Sequence, residues 1–133
     1  KPSASPAGSE TILLAEDEAS LRKLLCHSLS SLGYRVLEAS DGQEALAVAQ
    51  AHEGRIDLLV TDIVMPKMGG RALRDRLLEK RRDLRVLFVS GYANEVIAKH
   101  GILDAGIHLL QKPFALDMLG RKVREILDQG KPA

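Results

Sequence analysis

The sequence has almost no cysteine, few aromatic residues, little net charge and no long hydrophobic run. Cys26 is the only cysteine, which excludes a framework of internal disulfide bonds and is typical of a reducing compartment. A formal net charge of +1 gives no support for binding to nucleic acid or to an anionic membrane surface. No apolar run approaches the roughly 20 residues of a membrane span, and residues 1–10 contain no signal-peptide core. These absences predict a cytoplasmic protein that contacts neither membrane nor nucleic acid directly.

The rest of the composition is that of one globular domain. Hydrophobic residues make up 45% of the chain and charged residues 28%, which are ordinary proportions for a globular protein. A length of 133 residues suits a single domain with a full core. Residues 1–10 are rich in Pro, Ser, Ala and Gly and predict a flexible leader or linker. We therefore predict a domain over residues 11–129 and a short tail at 130–133.

Short apolar runs alternate along the chain with segments of helical periodicity. Strands are predicted at 11–15, 34–39, 56–62, 84–90 and 106–111, and helices over 20–33, 41–54, 69–81, 93–101 and 115–129. This alternation predicts parallel βαβ units, and nearly continuous apolar strands predict a sheet that is covered on both faces. The pattern therefore predicts an α/β fold of the flavodoxin-like, doubly wound type. Its five-stranded parallel sheet has strand order 2-1-3-4-5, with helices on both faces.

Two of the helical segments carry distinct side-chain patterns. The first predicted helix places an apolar repeat at helical spacing, which comprises Leu21, Leu24, Leu25, Ser28, Leu29 and Leu32. Basic residues are frequent between positions 71 and 85, namely Arg71, Arg74, Arg76, Lys80, Arg81, Arg82 and Arg85. Because Asp75, Glu79 and Asp83 are interspersed with them, these basic residues predict a solvated face.

Residues that can carry chemistry stand where four of the predicted strands end. Glu16 and Asp17 follow the first strand, Asp62 ends the third, Ser90 ends the fourth and Lys112 follows the fifth. In strand order 2-1-3-4-5 these four strands are consecutive neighbours, so their carboxyl ends meet at one edge of the sheet. Ligands of doubly wound folds bind at this edge. The sequence therefore predicts a site that contains three carboxylates, a hydroxyl and an ammonium.

Three clustered carboxylates favour a bound cation. Each like-charge pair at ~4 Å costs about 4 kcal/mol at an effective dielectric constant of ~20, unless one carboxyl keeps a proton or a cation lies among them. A site with few ligands, all of them oxygen, suits Mg²⁺, which keeps waters and can also bind a phosphate oxygen. The sequence does not distinguish Mg²⁺ from Mn²⁺. With Lys112 and Ser90 available to an anion beside the metal, the site is suited to accept a phosphoryl group on a central carboxylate.

Four segments carry a resemblance to a known family. They read ILLAEDE, DLLVTDIVMPKMGG, VLFVSGY and LLQKPF, and with their spacing the chain over residues 11–129 resembles the receiver domain of two-component response regulators. The resemblance implies that Asp62 is phosphorylated by a phosphohistidine of a histidine kinase or phosphotransfer domain. It also implies a Mg²⁺ site formed by Glu16, Asp17, Asp62 and the backbone carbonyl of Val64. Ser90 and Lys112 would bind the phosphoryl oxygens, and the Lys112-Pro113 peptide bond would be cis.

Some positions differ from the usual family pattern. Leu109 stands where an aromatic ring usually swings inward on activation, and Ser90 replaces the more frequent threonine. The family's output face comprises helix 4, strand 5 and helix 5, which here are the predicted elements at 93–101, 106–111 and 115–129. Val64 and Tyr92 correspond to positions that flank the path of the hydrolytic water, so an apolar and a bulky residue there predict a long-lived phosphoryl group.

Two other functions remain open. A haloacid-dehalogenase-type phosphatase also uses Mg²⁺ and an Asp nucleophile, but it needs that Asp after strand 1 with a second Asp two residues on; here the stretch is EDEA. A receiver-like module that binds partners without phosphorylation is favoured by Leu109 and disfavoured by the complete set of acids, Ser90 and Lys112. We predict a regulatory domain with self-catalysed phosphotransfer and autodephosphorylation, not an enzyme that acts on a separate substrate.

The motifs also indicate a context for the domain. The segments SGY and LLQKPF resemble receiver modules of hybrid sensor histidine kinases. Together with the leader at 1–10 and an end soon after the last predicted helix, they favour a C-terminal module of a hybrid kinase over a free single-domain regulator.

Overall fold

The fold is a parallel sheet between two layers of helices, seen in a computed structural model that describes residues 8–91 and 108–129. The strands are β1 Thr11–Ala15, β2 Arg35–Ala39, β3 Leu58–Asp62, β4 Arg85–Ser90 and β5 His108–Gln111. The helices are α1 Ala19–Ser31, α2 Gly42–Ala51, α3 Gly70–Leu78 and the C-terminal helix Leu116–Asp128. All strand pairs are parallel and the order is β2-β1-β3-β4-β5, as predicted. The predicted helix at 93–101 lies outside the described residues.

The apolar residues of the strands divide between two cores. In β1, Ile12 and Leu14 pack with residues of α1 and the C-terminal helix, whereas Leu13 and Ala15 pack with residues of α2 and α3. This division follows from the period of two in a strand, which points successive side chains to opposite faces. The predicted coverage of both faces is therefore confirmed. Within the described parts of the chain, the helices are too short or too polar to cross a bilayer.

The apolar repeat of α1 is only partly buried. Leu25 and Leu29 are 1% and 0% exposed and lie one turn apart, but Leu24 is 48% exposed. Each residue advances about 100° around a helix, so Leu24 points away from the face that Leu25 and Leu29 share. The sequence pattern overestimated the width of the buried face.

The sequence predicted that the basic residues between positions 71 and 85 form a solvated face, but one of them, Arg81, binds backbone carbonyls. α3 ends three residues before the predicted end at Arg81, and the Arg81 guanidinium donates hydrogen bonds of 3.0 Å to the carbonyls of Ala49, His52 and Gly54. These carbonyls lie at and just beyond the end of α2, where backbone oxygens lack intrahelical partners and a cation is favourable. From the segment that follows α3, Arg81 therefore satisfies backbone carbonyls at the end of α2.

Replacing Arg81 with methionine is expected to lower the free energy of unfolding by about 2 kcal/mol, because three carbonyls lose a charged donor. The matched control is Arg82→Met, since Arg82 is exposed and has no ion pair within the described part of the chain. Its effect should stay within about 0.5 kcal/mol. Urea denaturation of both variants measures the difference, and equal midpoints would show that the Arg81 hydrogen bonds contribute nothing measurable.

Contacts of the domain begin before β1, within the segment predicted as a leader. The N–H of Arg35 donates to the carbonyl of Glu10 at 3.0 Å. The Arg124 guanidinium, on the C-terminal helix, donates to both carboxylate oxygens of Glu10 at 3.0 and 2.6 Å. This pair ties the start of the domain to its last helix.

The Glu10–Arg124 pair predicts a pH-dependent contribution to stability. The hydrogen bonds from Arg124 lower the pKa of Glu10 from 4.5 to about 2. A lowered pKa in the folded state means that the stabilisation is complete above pH 4.5 and is lost as pH falls towards 2. We expect Glu10→Gln to cost about 1 kcal/mol at pH 7, with a difference from wild type that shrinks between pH 4.5 and 2.

Urea denaturation at several pH values tests this expectation. Glu53→Gln is the matched control, because Glu53 is an exposed glutamate. A Glu10→Gln effect that is the same at pH 7 and pH 3 would contradict an ionic contribution from this pair.

Candidate functional site

The first and third strands place two acids side by side. β1 and β3 pair with Ala15 opposite Thr61, so the residues that follow, Glu16 and Asp62, lie next to each other at the same edge. Glu16 and Asp62 are 2% and 6% exposed, whereas Asp17 on the loop into α1 is exposed. One carboxylate oxygen from each of the three acids lies within 4.8 Å of the others. The structure thus brings the three predicted acids together.

The fourth and fifth strands bring the predicted hydroxyl and ammonium to the same edge. Ser90 is buried at the end of β4, and its carbonyl accepts a hydrogen bond of 2.8 Å from the N–H of Lys112. The Nζ atom of Lys112 lies 2.9 Å from Oδ1 of Asp62 and 3.2 Å from Oε1 of Glu16. The peptide bond after Lys112 is cis, as predicted.

These side chains surround a solvent-open cavity of about 400 Å³. The lining comprises Glu16, Asp17, Glu18, Asp62, Ile63, Val64, Val89, Ser90, Gly91 and Lys112. Val64 lies at the mouth with its side chain 63% exposed, and the use of its carbonyl as a metal ligand stays a prediction. Tyr92, the second residue predicted to hinder water, lies outside the described residues.

Burial is the main influence on the pKa of the Asp62 carboxyl. Removal from water raises the pKa of Asp62 to about 8, a hydrogen bond with the Glu16 carboxyl adds to the increase, and Lys112 opposes it. Desolvation alone lowers the pKa of Lys112, but its hydrogen bond and attraction to Asp62 outweigh this, and the pKa is raised. One ammonium does not neutralise three acids, so a proton or a further cation is favoured among them.

The donor set fits a hard divalent cation. All three candidate ligand atoms are carboxylate oxygens, which is the ligand type that Mg²⁺ and Mn²⁺ share. The exposed side of the cluster, at Asp17, leaves room for the waters that Mg²⁺ keeps in protein sites. The same cavity is lined by Ser90 and Lys112, so an anion beside the cation would meet a hydroxyl and an ammonium.

Leu109 lies in β5 opposite Phe88 of β4. It packs against a small buried cluster that contains Phe88 and Ile63, and the Arg74 guanidinium lies 5.6 Å from the centre of the Phe88 ring. Within the described residues, the ring against which Leu109 packs therefore belongs to β4, and β5 supplies an aliphatic side chain at this point.

One residue near the site was missed by the sequence analysis. The Arg22 guanidinium donates a hydrogen bond of 2.8 Å to the carbonyl of Glu16, so it contacts the loop that carries the acids. The only sequence signal is a cation in the first turn of a helix, where the helix dipole disfavours positive charge.

Comparisons with known proteins place the chain among signalling proteins. Residues 12–124 match the family model described as the response regulator receiver domain. The chain is 41% identical over 123 residues to the sensor kinase CckA of Brucella abortus (strain 2308), and the match covers 92% of this chain. It spans 13% of the length of that kinase.

Two solved structures are similar over nearly their whole length. The receiver domain from the hybrid histidine kinase CckA has a TM-score of 0.70 and 36% identity, covering 89% of this chain and 99% of that chain. The response regulator protein TrrA from Thermotoga maritima, solved in complex with Mg(2+)-BeF, has a TM-score of 0.75 and 28% identity, covering 88% and 98% respectively.

Proposed function

The chain belongs to the response regulator receiver domain family of two-component systems, and from this premise we propose that Asp62 is its phosphoacceptor. The observation that supports this most directly is the contact of 2.9 Å between Asp62 Oδ1 and Lys112 Nζ, inside a cluster of three acids. Lys112 Nζ also reaches Glu16, at 3.2 Å, but Asp62 is the nearer acid, and it ends β3, which lies between β1 and β4 in the sheet. The phosphodonor is a phosphohistidine of a histidine kinase or phosphotransfer domain, in the same chain or another.

The proposed reaction is a transfer between two heteroatoms. A carboxylate oxygen of Asp62 attacks phosphorus, the phosphorus–nitrogen bond of the donor breaks, and the imidazole nitrogen keeps the electron pair. Glu16, Asp17 and Asp62 would hold Mg²⁺, whose charge would neutralise negative charge on the transferred group. Lys112 supplies a second positive charge, and Ser90 supplies a hydroxyl donor for a phosphoryl oxygen. Hydrolysis of the resulting acyl phosphate restores the carboxylate and ends the signal.

The same residues give the phosphoryl group a route to the rest of the domain. Lys112 and Ser90 are linked through their backbones at 2.8 Å. Lys112 directly follows β5, and the C-terminal helix begins shortly after it. A change in the contacts of Lys112 therefore acts on β5 and this helix, which are the described parts of the proposed output face. The helix predicted at 93–101 would complete that face.

The domain is proposed to work in the cytoplasm as a regulatory module, with no nucleic acid or membrane as direct partner. The similarity to CckA favours a place within a hybrid sensor histidine kinase. Mg²⁺ is the proposed cofactor, and Mn²⁺, which takes the same oxygen ligands, would substitute for it.

Incubation with acetyl phosphate tests the proposal, with intact-protein mass as the readout. We expect one added phosphoryl group in the presence of MgCl₂, none in EDTA and none in Asp62→Asn. Release of phosphate from unrelated esters would instead support a phosphatase. The absence of modification under all conditions would support a module that binds without phosphorylation.

A further inference from the structure

Arg22 ties down the backbone of a proposed metal-binding acid. Its Nη1 atom donates to the Glu16 carbonyl at 2.8 Å, and its Nε atom lies 3.7 Å from a carboxylate oxygen of Glu38 on β2. The N–H of Glu16 donates to the carbonyl of Ala39, also on β2, at 3.1 Å. Both backbone polar groups of Glu16 are therefore anchored to the neighbouring strand, one directly and one through Arg22.

The position of Arg22 is not explained by the stability of α1. It lies in the first turn of that helix, where the helix dipole disfavours a cation by about 0.3–1 kcal/mol. Its side chain is nevertheless only 18% exposed, so ordering it also costs rotamer freedom. The contacts that offset these costs are the hydrogen bond of 2.8 Å to the Glu16 carbonyl and the longer ion pair of 3.7 Å with Glu38.

The side chain of Glu16 is fixed at the same time. Its Oε2 atom accepts a hydrogen bond of 3.0 Å from the N–H of Glu18, and its Oε1 atom lies 3.2 Å from Lys112. Backbone and carboxylate are thus held from different directions. The Arg22 contact is the one that comes from a side chain outside the cavity.

We propose that Arg22 is a positioning residue for the Mg²⁺ site: by holding the Glu16 carbonyl, it sets the loop so that the carboxylates of Glu16 and Asp17 face the cation together. This role rests on the proposed function, because it requires the three acids to bind a metal. Arg22 acts through Glu16 and does not contact the cation.

The direction of the change in Mg²⁺ affinity distinguishes a positioning role of Arg22 from an effect of its charge. Arg22 is a cation near an acidic site, so removal of its charge alone would strengthen Mg²⁺ binding. If Arg22 instead positions the loop that carries Glu16 and Asp17, its removal weakens Mg²⁺ binding. We expect Arg22→Met to raise the Mg²⁺ dissociation constant by about tenfold, as for residues that orient metal ligands. Arg22→Lys keeps the charge and one donor, and should fall between Arg22→Met and wild type.

Mg²⁺ binding is measured by calorimetric titration of the folded domain, and thermal unfolding in EDTA gives the stability of each variant without metal. Lys23→Met is the matched control, because Lys23 is an exposed cation next in sequence, and its Mg²⁺ affinity should equal that of wild type. In phosphorylation assays, the Mg²⁺ concentration for half-maximal rate should rise about tenfold in Arg22→Met, with the rate at saturating Mg²⁺ nearly unchanged.

Mg²⁺ affinity that is unchanged or tighter in Arg22→Met would overturn the positioning role, whatever the effect on thermal unfolding. If Arg22→Met does not fold, Arg22→Lys decides, and affinity equal to wild type again overturns the role. Wild-type protein that binds no Mg²⁺ would contradict the proposed function itself. This outcome is distinguishable from failure of the positioning role, because it is seen in the wild-type protein, in which Arg22 is intact.

Discussion

Replacing Lys112 with methionine is expected to slow phosphorylation of Asp62 by about a hundredfold, the cost of losing one preorganised donor to a developing negative charge. The Nζ atom of Lys112 lies 2.9 Å from Asp62, so it is placed to contact a phosphoryl group on that oxygen. Loss of the ammonium raises the pKa of Asp62 further, but it also removes a competitor of the metal for the carboxylates of Asp62 and Glu16. At a pH that ionises Asp62 in both proteins, Mg²⁺ binding should therefore not weaken. Lys112→Met should therefore lower the phosphorylation rate without lowering the Mg²⁺ affinity.

The rate is measured from intact mass at quenched times with acetyl phosphate at saturating Mg²⁺, and the affinity by titration at several pH values from 8 upwards, because the pKa of Asp62 is about 8 and rises when Lys112 is removed. Lys23→Met is again the control for loss of an exposed lysine, and its rate should match wild type. A parallel loss of rate and Mg²⁺ affinity in Lys112→Met would show that Lys112 builds the metal site and has no separate role in transfer.

Replacing Gly70 with alanine is expected to lower the free energy of unfolding by about 2 kcal/mol, within the range for overpacked sites, and to slow phosphorylation. Gly70 begins α3 and its N–H donates to the Ile63 carbonyl at 2.8 Å. A Cβ atom there would overlap with the carbonyl oxygen of Asp62 and lie 3.0 Å from the Thr61 side chain. The turn must open, and Asp62 moves with it.

Gly54→Ala is the matched control, because its added Cβ would meet only the His52 imidazole, at 3.1 Å, which can rotate away. We expect its urea midpoint to stay close to wild type. If Gly70→Ala unfolds at the same urea concentration and is phosphorylated at the wild-type rate, the close approach of Gly70 to Asp62 does not constrain the site.

The architecture and the grouping of the site could be predicted because both depend on simple periodic features. Apolar runs separated by helical patterns specify a parallel sheet, and parallel strands place all their carboxyl ends at one edge. Asp62 and Lys112 are far apart in sequence, but Asp62 ends β3 and Lys112 directly follows β5, so the strand order places both at one edge of the sheet with β4 between them. The long lysine side chain spans the remaining distance. The contact of 2.9 Å between them follows from that placement.

Roles of individual cations could not be predicted. Arg81 and Arg22 look like surface charges in the sequence, yet one closes the end of α2 and the other holds the Glu16 carbonyl. A long, flexible side chain can reach several partners, and its choice depends on which backbone carbonyls the tertiary fold leaves unpaired. Helical spacing placed Leu24 and Leu25 about 100° apart within one broad apolar face, and which part of such a face is buried depends on the neighbouring elements.

Identification of the modified residue tests the central claim most directly. After incubation with acetyl phosphate and MgCl₂, reduction with borohydride converts an aspartyl phosphate into homoserine, which peptide mass spectrometry locates. We predict homoserine at position 62 alone, and none when EDTA replaces Mg²⁺. Homoserine at another aspartate, or equal labelling of Asp62 without a divalent metal, would contradict a phosphoacceptor site built from Glu16, Asp17, Asp62 and Lys112.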